Sequence, residues 1–103
     1  MIKLIASDLD GTLLDEPNRI SKINLDAIDY AYQKGAKFCF STGRDLQSVK
    51  DITCLLKHKP VLLLGNGSEV YDEDENLVFQ NFFNNKYLVE VCEIMNKHDV
   101  PHM

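Results

Sequence analysis

Short apolar runs alternate along the chain with segments in which apolar residues recur at three- and four-residue steps. Residues 2–7, 36–41 and 61–64 read "IKLIAS", "AKFCFS" and "VLLL". Apolar runs of this length, bounded by turn residues, are typical of strands buried on both faces. The segments between them have the periodicity of amphipathic helices. The pattern therefore predicts strands and helices that alternate around a parallel sheet.

The first two predicted helices have recognisable ends. Ser21 is expected to cap the first helix, and Gly35 is expected to follow its last turn. Asp45 is expected to cap the second helix, whose pattern ends before Pro60. The apolar positions of these two helices are Ile23, Ala27, Ile28 and Ala31, followed by Leu46, Val49, Ile52, Leu55 and Leu56.

The pattern changes after the third strand. The segments "SEVYD" and "NLVFQNF" alternate between polar and apolar residues on either side of the acidic "EDE", which predicts a β-hairpin. A last helical pattern follows, with its apolar residues at Tyr87, Leu88, Val91, Ile94 and Met95. The predicted fold class is α/β, a Rossmann-like parallel sheet with helices on both faces, followed by a β-hairpin and one more helix.

Length, charge and cysteine content narrow the class of protein. A chain of 103 residues is one domain or a piece of one. Its net charge of −5 disfavours nucleic acid and an anionic membrane as main partners. No run approaches the ~18 apolar residues of a membrane-spanning helix. The cysteines lie far apart and form no CxxC motif, which predicts reduced thiols and a cytoplasmic protein.

A polar stretch that contains glycine follows each of the three predicted parallel strands. "DLDGT" follows the first strand, "STGR" the second and "GNG" the third. Parallel sheets bind ligands at the carboxyl ends of their strands, so neighbouring strands would bring the three stretches into one crevice. Each stretch alone is more typical of an ordinary turn. Their joint position is what favours a functional site.

Asp8 and Asp10 stand one residue apart at the end of the first strand. Two adjacent carboxylates repel each other, and a hard cation such as Mg²⁺ relieves the repulsion by binding their oxygens. A carboxylate can also attack phosphorus to form an aspartyl-phosphate. A second acid can then donate a proton to the leaving group and later accept one from water. The pair is therefore suited to phosphoryl transfer with Mg²⁺ as cofactor.

The other stretches supply groups that suit phosphoryl oxygens. The hydroxyl of Ser41 or of Thr42 can donate a hydrogen bond, and so can the backbone N–H groups at Gly11 and Gly43. Arg44 supplies a cation that either holds a phosphate or organises the loop. Together they form a candidate binding site for a phosphoryl group.

The segment "LIASDLDGTLL" resembles the first motif of the haloacid dehalogenase superfamily, whose phosphatases carry DxDGT(L/V) after the first strand. "FCFSTGR" resembles the second motif of that superfamily. The "TGR" form, together with "GNGSEVYD", is similar to the Cof-type sugar-phosphate phosphatases. The resemblance covers essentially the whole chain. It implies Mg²⁺-dependent hydrolysis of phosphate monoesters, with sugar phosphates or similar metabolites as substrates.

The resemblance also implies a role for each matching residue. Asp8 is expected to be the nucleophile and a Mg²⁺ ligand. Asp10 is expected to be the general acid/base and to give the metal its backbone carbonyl. Thr42 is expected to provide the second-motif hydroxyl, with Ser41 as the alternative. The residues expected to bind the substrate are Thr42, Gly43, Ser41, Arg44 and Asn66.

Two further motifs of the superfamily, a lysine and a later pair of acids, find no match in these 103 residues. We therefore expect residues 1–83 to form an incomplete core and residues 84–103 to begin an α/β cap domain. The chain alone is then expected to be weakly active or inactive. The alternative is a non-catalytic remnant that binds phosphate or Mg²⁺. The uncovered edge of an incomplete sheet also predicts self-association.

Overall fold

The computed structural model describes residues 1–15, 18–81 and 84–101. The strands are β1 (Leu4–Ser7), β2 (Leu14–Asp15), β3 (Arg19–Ile20), β4 (Lys37–Ser41), β5 (Val61–Leu64), β6 (Glu69–Tyr71) and β7 (Leu77–Gln80). The helices are α1 (Lys22–Gln33), α2 (Leu46–Thr53) and α3 (Asn85–Lys97). The predicted boundary between residues 83 and 84 adjoins residues outside these ranges, so the division into core and cap stays a prediction.

Five strands form one sheet in the order β1–β4–β5–β6–β7. β4 pairs in parallel with β1 and with β5, which places Ala6 opposite Cys39 and Ser41 opposite Leu63. β6 and β7 form the predicted hairpin, and β6 extends the sheet by antiparallel pairing with β5. The predicted α/β class is confirmed. The carboxyl ends of β1, β4 and β5 lie at one edge, where such sheets bind ligands.

α1 and α2 pack on the same face of the sheet. Phe38 and Phe40 of β4 join a buried cluster with Ile28 of α1 and Val49 of α2. Right-handed crossovers from β1 to β4 and from β4 to β5 advance in the same direction, which puts both helices on one side. The expectation that these helices would cover both faces is therefore wrong. On the opposite face, Leu4 is 58% exposed.

The predicted helix ends are mostly confirmed. Ser21 Oγ accepts a hydrogen bond of 3.2 Å from the Asn24 backbone N–H and caps α1. Asp45 Oδ1 accepts one of 2.9 Å from the Ser48 N–H and caps α2. Gly35 follows α1 with a φ of 92°, the left-handed conformation that often ends a helix.

Three apolar positions predicted for these helices are wrong, and one of them, Ala27 of α1, is exposed in the middle of its helix. Ile23 was placed on the apolar face of α1, but it is 81% exposed. α2 ends at Thr53, and Leu55 beyond it is 53% exposed. Ile23 and Leu55 lie at or beyond a helix end, where periodicity no longer determines which side faces the core. Ala27 is exposed because the side of α1 that faces the core carries Leu25, Ile28 and Tyr32.

A small antiparallel hairpin lies between β1 and α1. β2 pairs with β3, with Leu14 opposite Ile20 and Asp15 opposite Arg19. Leu14 and Ile20 are buried in the core cluster, which anchors the hairpin to the sheet. The sequence showed this segment as polar and turn-rich, because a two-residue strand has too few positions for alternation to be visible.

β7 and α3 contribute no buried side chain. α3 begins after Asn84, whose Oδ1 accepts a hydrogen bond of 3.0 Å from the Lys86 N–H. The strongly exposed apolar residues of these two elements are Leu77, Val78, Phe79, Tyr87, Leu88, Val89, Val91 and Ile94. None of the helices in the described ranges has the length and apolar character needed to cross a membrane.

Candidate active site

The first motif forms a tight turn directly after β1. Asp10 has φ −68° and ψ 124°, and Gly11 has φ 77° and ψ 0°. These are the angles of a type II turn, whose third residue needs the positive φ that glycine adopts freely. Leu9, which separates the two acids, is fully buried. The turn is therefore anchored in the core while Asp8 and Asp10 remain exposed.

The carboxylate of Asp8 is exposed and accepts one hydrogen bond from the described residues. Its Oδ2 accepts a hydrogen bond of 3.2 Å from Thr12 Oγ1. Ser7 Oγ donates to the backbone carbonyl of Asp8 at 2.8 Å. Oδ1 of Asp8 accepts no hydrogen bond from the residues that the structure describes. An exposed carboxylate oxygen with free lone pairs suits both nucleophilic attack and metal binding.

The carboxylate of Asp10 is held by Arg44 in a bidentate ion pair. Arg44 Nε donates to Asp10 Oδ2 at 2.7 Å, and Arg44 Nη2 donates to Oδ1 at 2.6 Å. These hydrogen bonds are the main reason that the pKa of Asp10 lies below its usual value. The same contact raises the pKa of Arg44. Asp10 is therefore ionised in this arrangement, and both its oxygens are engaged by one guanidinium.

The loop after β4 carries Thr42, Gly43 and Arg44. The Thr42 backbone N–H donates to the Leu63 carbonyl at 3.0 Å, which continues the pairing with β5 beyond the strand. Thr42 is 5% exposed, and its Oγ1 accepts a hydrogen bond of 3.1 Å from the Arg44 N–H. The oxygen is the acceptor in that bond, so the hydroxyl proton remains free to donate elsewhere. Ser41, the alternative hydroxyl, is exposed.

The turn after β5 is joined to this loop by two backbone hydrogen bonds. The Asn66 N–H donates to the Thr42 carbonyl at 3.0 Å, and the Gly65 N–H donates to the Arg44 carbonyl at 3.1 Å. Arg44 in turn contacts Asp10 after β1. The structure therefore brings all three strand-end stretches into one connected group.

The expected Mg²⁺ site is partly matched by the donors present. Among the described residues, no group of three or more His, Cys, Asp or Glu side chains could hold a metal ion. Arg44 engages both carboxylate oxygens of Asp10, so that side chain does not fit a metal-ligand role here. The exposed Asp8 carboxylate and the Asp10 backbone carbonyl do fit, because Mg²⁺ often takes one or two protein oxygens and keeps several waters.

Sequence reasoning did not foresee which residues are hydrogen-bonded to each other in this site, and Thr12 and Gly65 are two examples. Thr12 donates to Asp8, and Gly65 donates to Arg44. Thr12 stands four residues after Asp8 across a glycine turn, and that spacing was a usable signal. No local signal links Gly65 to Arg44, because their contact depends on how β5 lies beside β4.

The protein is an α/β protein with a mostly parallel sheet. Carboxylates, hydroxyls and a guanidinium lie at the carboxyl ends of its strands, where such sheets bind ligands. Residues 5–103 match the family of haloacid dehalogenase-like hydrolases. The chain belongs to this family, and the Cof-type resemblance of its motifs is confirmed with it.

Two curated relatives and one solved structure illustrate the similarity. The chain is 39% identical over 98 residues to 5-amino-6-(5-phospho-D-ribitylamino)uracil phosphatase YcsE of Bacillus subtilis (strain 168), covering 95% of this chain and 39% of that protein. It is 34% identical over 79 residues to the HMP-PP phosphatase of Yersinia pestis (strain Pestoides F), covering 77% and 29%. A haloacid dehalogenase-like hydrolase from B. subtilis superposes with a TM-score of 0.87 at 30% identity, covering 95% and 34%.

Proposed function

We propose that this chain supplies the nucleophile and phosphate-binding part of a Mg²⁺-dependent phosphatase that acts on a small phosphorylated metabolite, such as a sugar phosphate. The observation that carries the proposal is the joining of three strand-end stretches around Asp8 and Asp10. The phosphatase names of the two relatives support it. The chain spans about two fifths or less of the length of these relatives. The phosphatase activity of this chain is therefore part of what we propose.

The chemistry assigned to Asp8 and Asp10 has two steps. A carboxylate oxygen of Asp8 attacks phosphorus, the bond from phosphorus to the ester oxygen breaks, and Asp10 gives that oxygen a proton. Water then attacks the phosphorus of the aspartyl-phosphate, Asp10 takes a proton from that water, the bond from phosphorus to the Asp8 oxygen breaks, and inorganic phosphate leaves. The ester is thereby hydrolysed to an alcohol and phosphate, and both acids return to their starting states.

The ion pair between Asp10 and Arg44 bears on these steps. A general acid must carry a proton, whereas Arg44 holds Asp10 ionised. The proton-donating state of Asp10 therefore requires Arg44 to release at least one carboxylate oxygen. Arg44 can then turn to the phosphoryl group, which presents the same fork of oxygens to a guanidinium.

The phosphoryl oxygens are assigned to the loop after β4. Thr42 has a hydroxyl proton free to donate, and Gly43 has no side chain to obstruct an approaching ligand. Ser41 stays the alternative hydroxyl, since it is exposed at the end of β4. We assign Mg²⁺ to the Asp8 carboxylate and the Asp10 backbone carbonyl. When bound, Mg²⁺ supplies positive charge that stabilises the phosphoryl oxygens.

Three further assignments belong to the same proposal. Residues 84–103 begin a cap domain, which is supported by the absence of buried side chains from α3. The sheet self-associates through an open edge of β1. The protein is cytoplasmic, which is supported by its free cysteines at Cys39, Cys54 and Cys92.

Phosphate release tests the proposed activity. The chain is incubated with para-nitrophenyl phosphate and Mg²⁺, and released phosphate is measured with malachite green. We expect slow release that stops in Asp8→Asn and persists in Asp26→Asn, an exposed acid of α1. Release that survives in Asp8→Asn contradicts the assigned nucleophile. If the unsubstituted chain releases no phosphate, the proposal that this chain is active by itself is contradicted, and the non-catalytic alternative is favoured.

A further inference from the structure

The turn after β5 has an unusual backbone. Gly65, Asn66 and Gly67 have φ values of 55°, 58° and 95°, so three consecutive residues lie in the left-handed region. Asn66 has ψ 35°, which is close to the left-handed helical conformation. Glycine reaches this region freely, and asparagine is the side-chain-bearing residue that tolerates it best. The sequence "GNG" therefore matches what this backbone demands.

This backbone conformation allows the turn to form hydrogen bonds with the loop after β4. The N–H groups of Gly65 and Asn66 donate to the carbonyls of Arg44 and Thr42, which flank Gly43 on either side. Two consecutive donors thus bind the loop at both sides of its glycine. Because β5 and β6 are paired on either side of this turn, a change of φ at Asn66 has to be taken up by the neighbouring peptide planes, and the donors of Gly65 and Asn66 lie in those planes.

The Asn66 side chain adds a second contact to the same loop. A Cβ atom placed on Gly43 would lie 3.1 Å from Asn66 Oδ1, 3.4 Å from Nδ2 and 3.5 Å from Cγ. The carboxamide of Asn66 therefore lies beside Gly43, where the side chain of a larger residue would meet it. Gly43 itself does not have a positive φ, so the neighbour rather than the backbone explains why glycine stands there.

We propose that Asn66 is a positioning residue, which sets the Thr42–Arg44 loop and thereby places the Arg44 guanidinium on Asp10. This role differs from the substrate contact that the family resemblance implied for Asn66. It rests on the proposed function, because it treats the loop and Asp10 as parts of a phosphatase site. The left-handed backbone carries the role, and the carboxamide contributes by contact with Gly43.

Two substitutions at one position separate positioning from substrate contact. Asn66→Gly removes the carboxamide but keeps the left-handed backbone accessible, whereas Asn66→Ala removes the carboxamide and disfavours that backbone. The first readout is the ¹H–¹⁵N signal of Arg44 Nε, which reports the ion pair with Asp10. The second is the affinity for inorganic phosphate in the presence of Mg²⁺, measured by calorimetry.

Positioning predicts that Asn66→Gly keeps the Arg44 Nε signal and binds phosphate within about twofold of the unsubstituted chain. Asn66→Ala is expected to shift or lose that signal and to bind phosphate about tenfold more weakly. Equal losses of phosphate affinity in both variants, with the Arg44 signal unchanged, would overturn the proposal in favour of a substrate contact. If the Arg44 signal behaves as expected and the unsubstituted chain binds no phosphate, the proposed function fails while the positioning role stands.

A double substitution tests the contact between Asn66 and Gly43 and does not depend on the folding of Asn66→Ala. Gly43→Ala is expected to disturb the Arg44 Nε signal, because its new methyl group meets the Asn66 carboxamide. Adding Asn66→Gly removes every one of those contacting atoms and should restore the signal. A double variant that is as disturbed as Gly43→Ala alone would contradict the positioning contact.

Discussion

The strand-end loops and the segment formed by β7 and α3 are organised in opposite ways. The loops include a fully buried Leu9 and are joined by the Arg44–Asp10 ion pair and by hydrogen bonds from Gly65 and Asn66. β7 and α3 bury no side chain and expose a row of apolar residues. The side chains of the first region are held by contacts within the chain, whereas β7 is attached by its backbone pairing with β6 and the side chains of β7 and α3 stay unburied.

The difference shows that the conformation of the strand-end loops is determined within this chain, whereas α3 needs another protein surface to pack against. A loop that depends on backbone hydrogen bonds and one bidentate ion pair is set by the register of β1, β4 and β5. An amphipathic helix with its apolar side exposed gains most of its stability from tertiary packing, which α3 lacks here. We therefore expect the strand-end loops to be the more sensitive of the two regions to substitution.

Truncation of the core beneath the strand-end loops gives the largest expected contrast with β7 and α3. Phe40 of β4 is fully buried, whereas Phe79 of β7 is 52% exposed. Phe40→Ala should lower the free energy of unfolding by about 3–5 kcal/mol. Phe79→Ala should lower it by about 1 kcal/mol or less. Urea denaturation followed by circular dichroism measures both, and equal losses would remove the distinction between the regions.

Self-association is expected to depend on the sheet edge more than on the helix. β1 is an end strand of the sheet, and Leu4 on it is exposed. A lysine at an edge strand opposes edge-to-edge pairing, so Leu4→Lys should bring the mass from light scattering close to that of a monomer. Leu88→Lys on α3 is the matched control and should leave the association in place. Dissociation by Leu88→Lys alone would assign the contact to α3 instead.

Acid titration gives the smallest expected effect. Arg44 lowers the pKa of Asp10 in the folded chain, so the ionised carboxylate stabilises the fold above its unfolded pKa of about 3.9. That contribution is lost as pH falls through the lowered folded pKa. Arg44→Gln should raise the pKa of Asp10 and make the loss of stability on acidification shallower.

Carboxyl ¹³C NMR between about pH 6 and pH 2 measures this shift at Asp10 itself. Arg19→Gln in β3 is the control and should leave the Asp10 titration where it was. An unchanged pKa in Arg44→Gln would mean that the ion pair does not hold in solution.

The sequence was informative where the determinants are local. Ser21, Gly35 and Asp45 were found because a helix cap depends on a few adjacent residues. The strand at residues 61–64 was found because a buried strand is a continuous apolar run. The shared edge of the three polar stretches followed from the rule for parallel sheets.

The rest depended on contacts between distant residues. Arg44 and Asp10 are 34 residues apart, and their pairing follows from the register of β1 beside β4. The sequence allowed Arg44 to bind a phosphate or to organise the loop, and it gave no reason to join it to Asp10. Both helices pack on one face because consecutive crossovers advance in the same direction, which residue periodicity does not encode.

Trifluoroberyllate capture is the most direct test of the claim that Asp8 is a nucleophile toward phosphorus. Trifluoroberyllate imitates a phosphoryl group bound to a carboxylate, and it reports on Asp8 without requiring turnover. With Mg²⁺ present, ¹⁹F NMR should show bound fluoride signals for the unsubstituted chain and for Asp26→Asn, and none for Asp8→Asn. Bound signals that persist in Asp8→Asn, or that never form with the unsubstituted chain, would contradict the account.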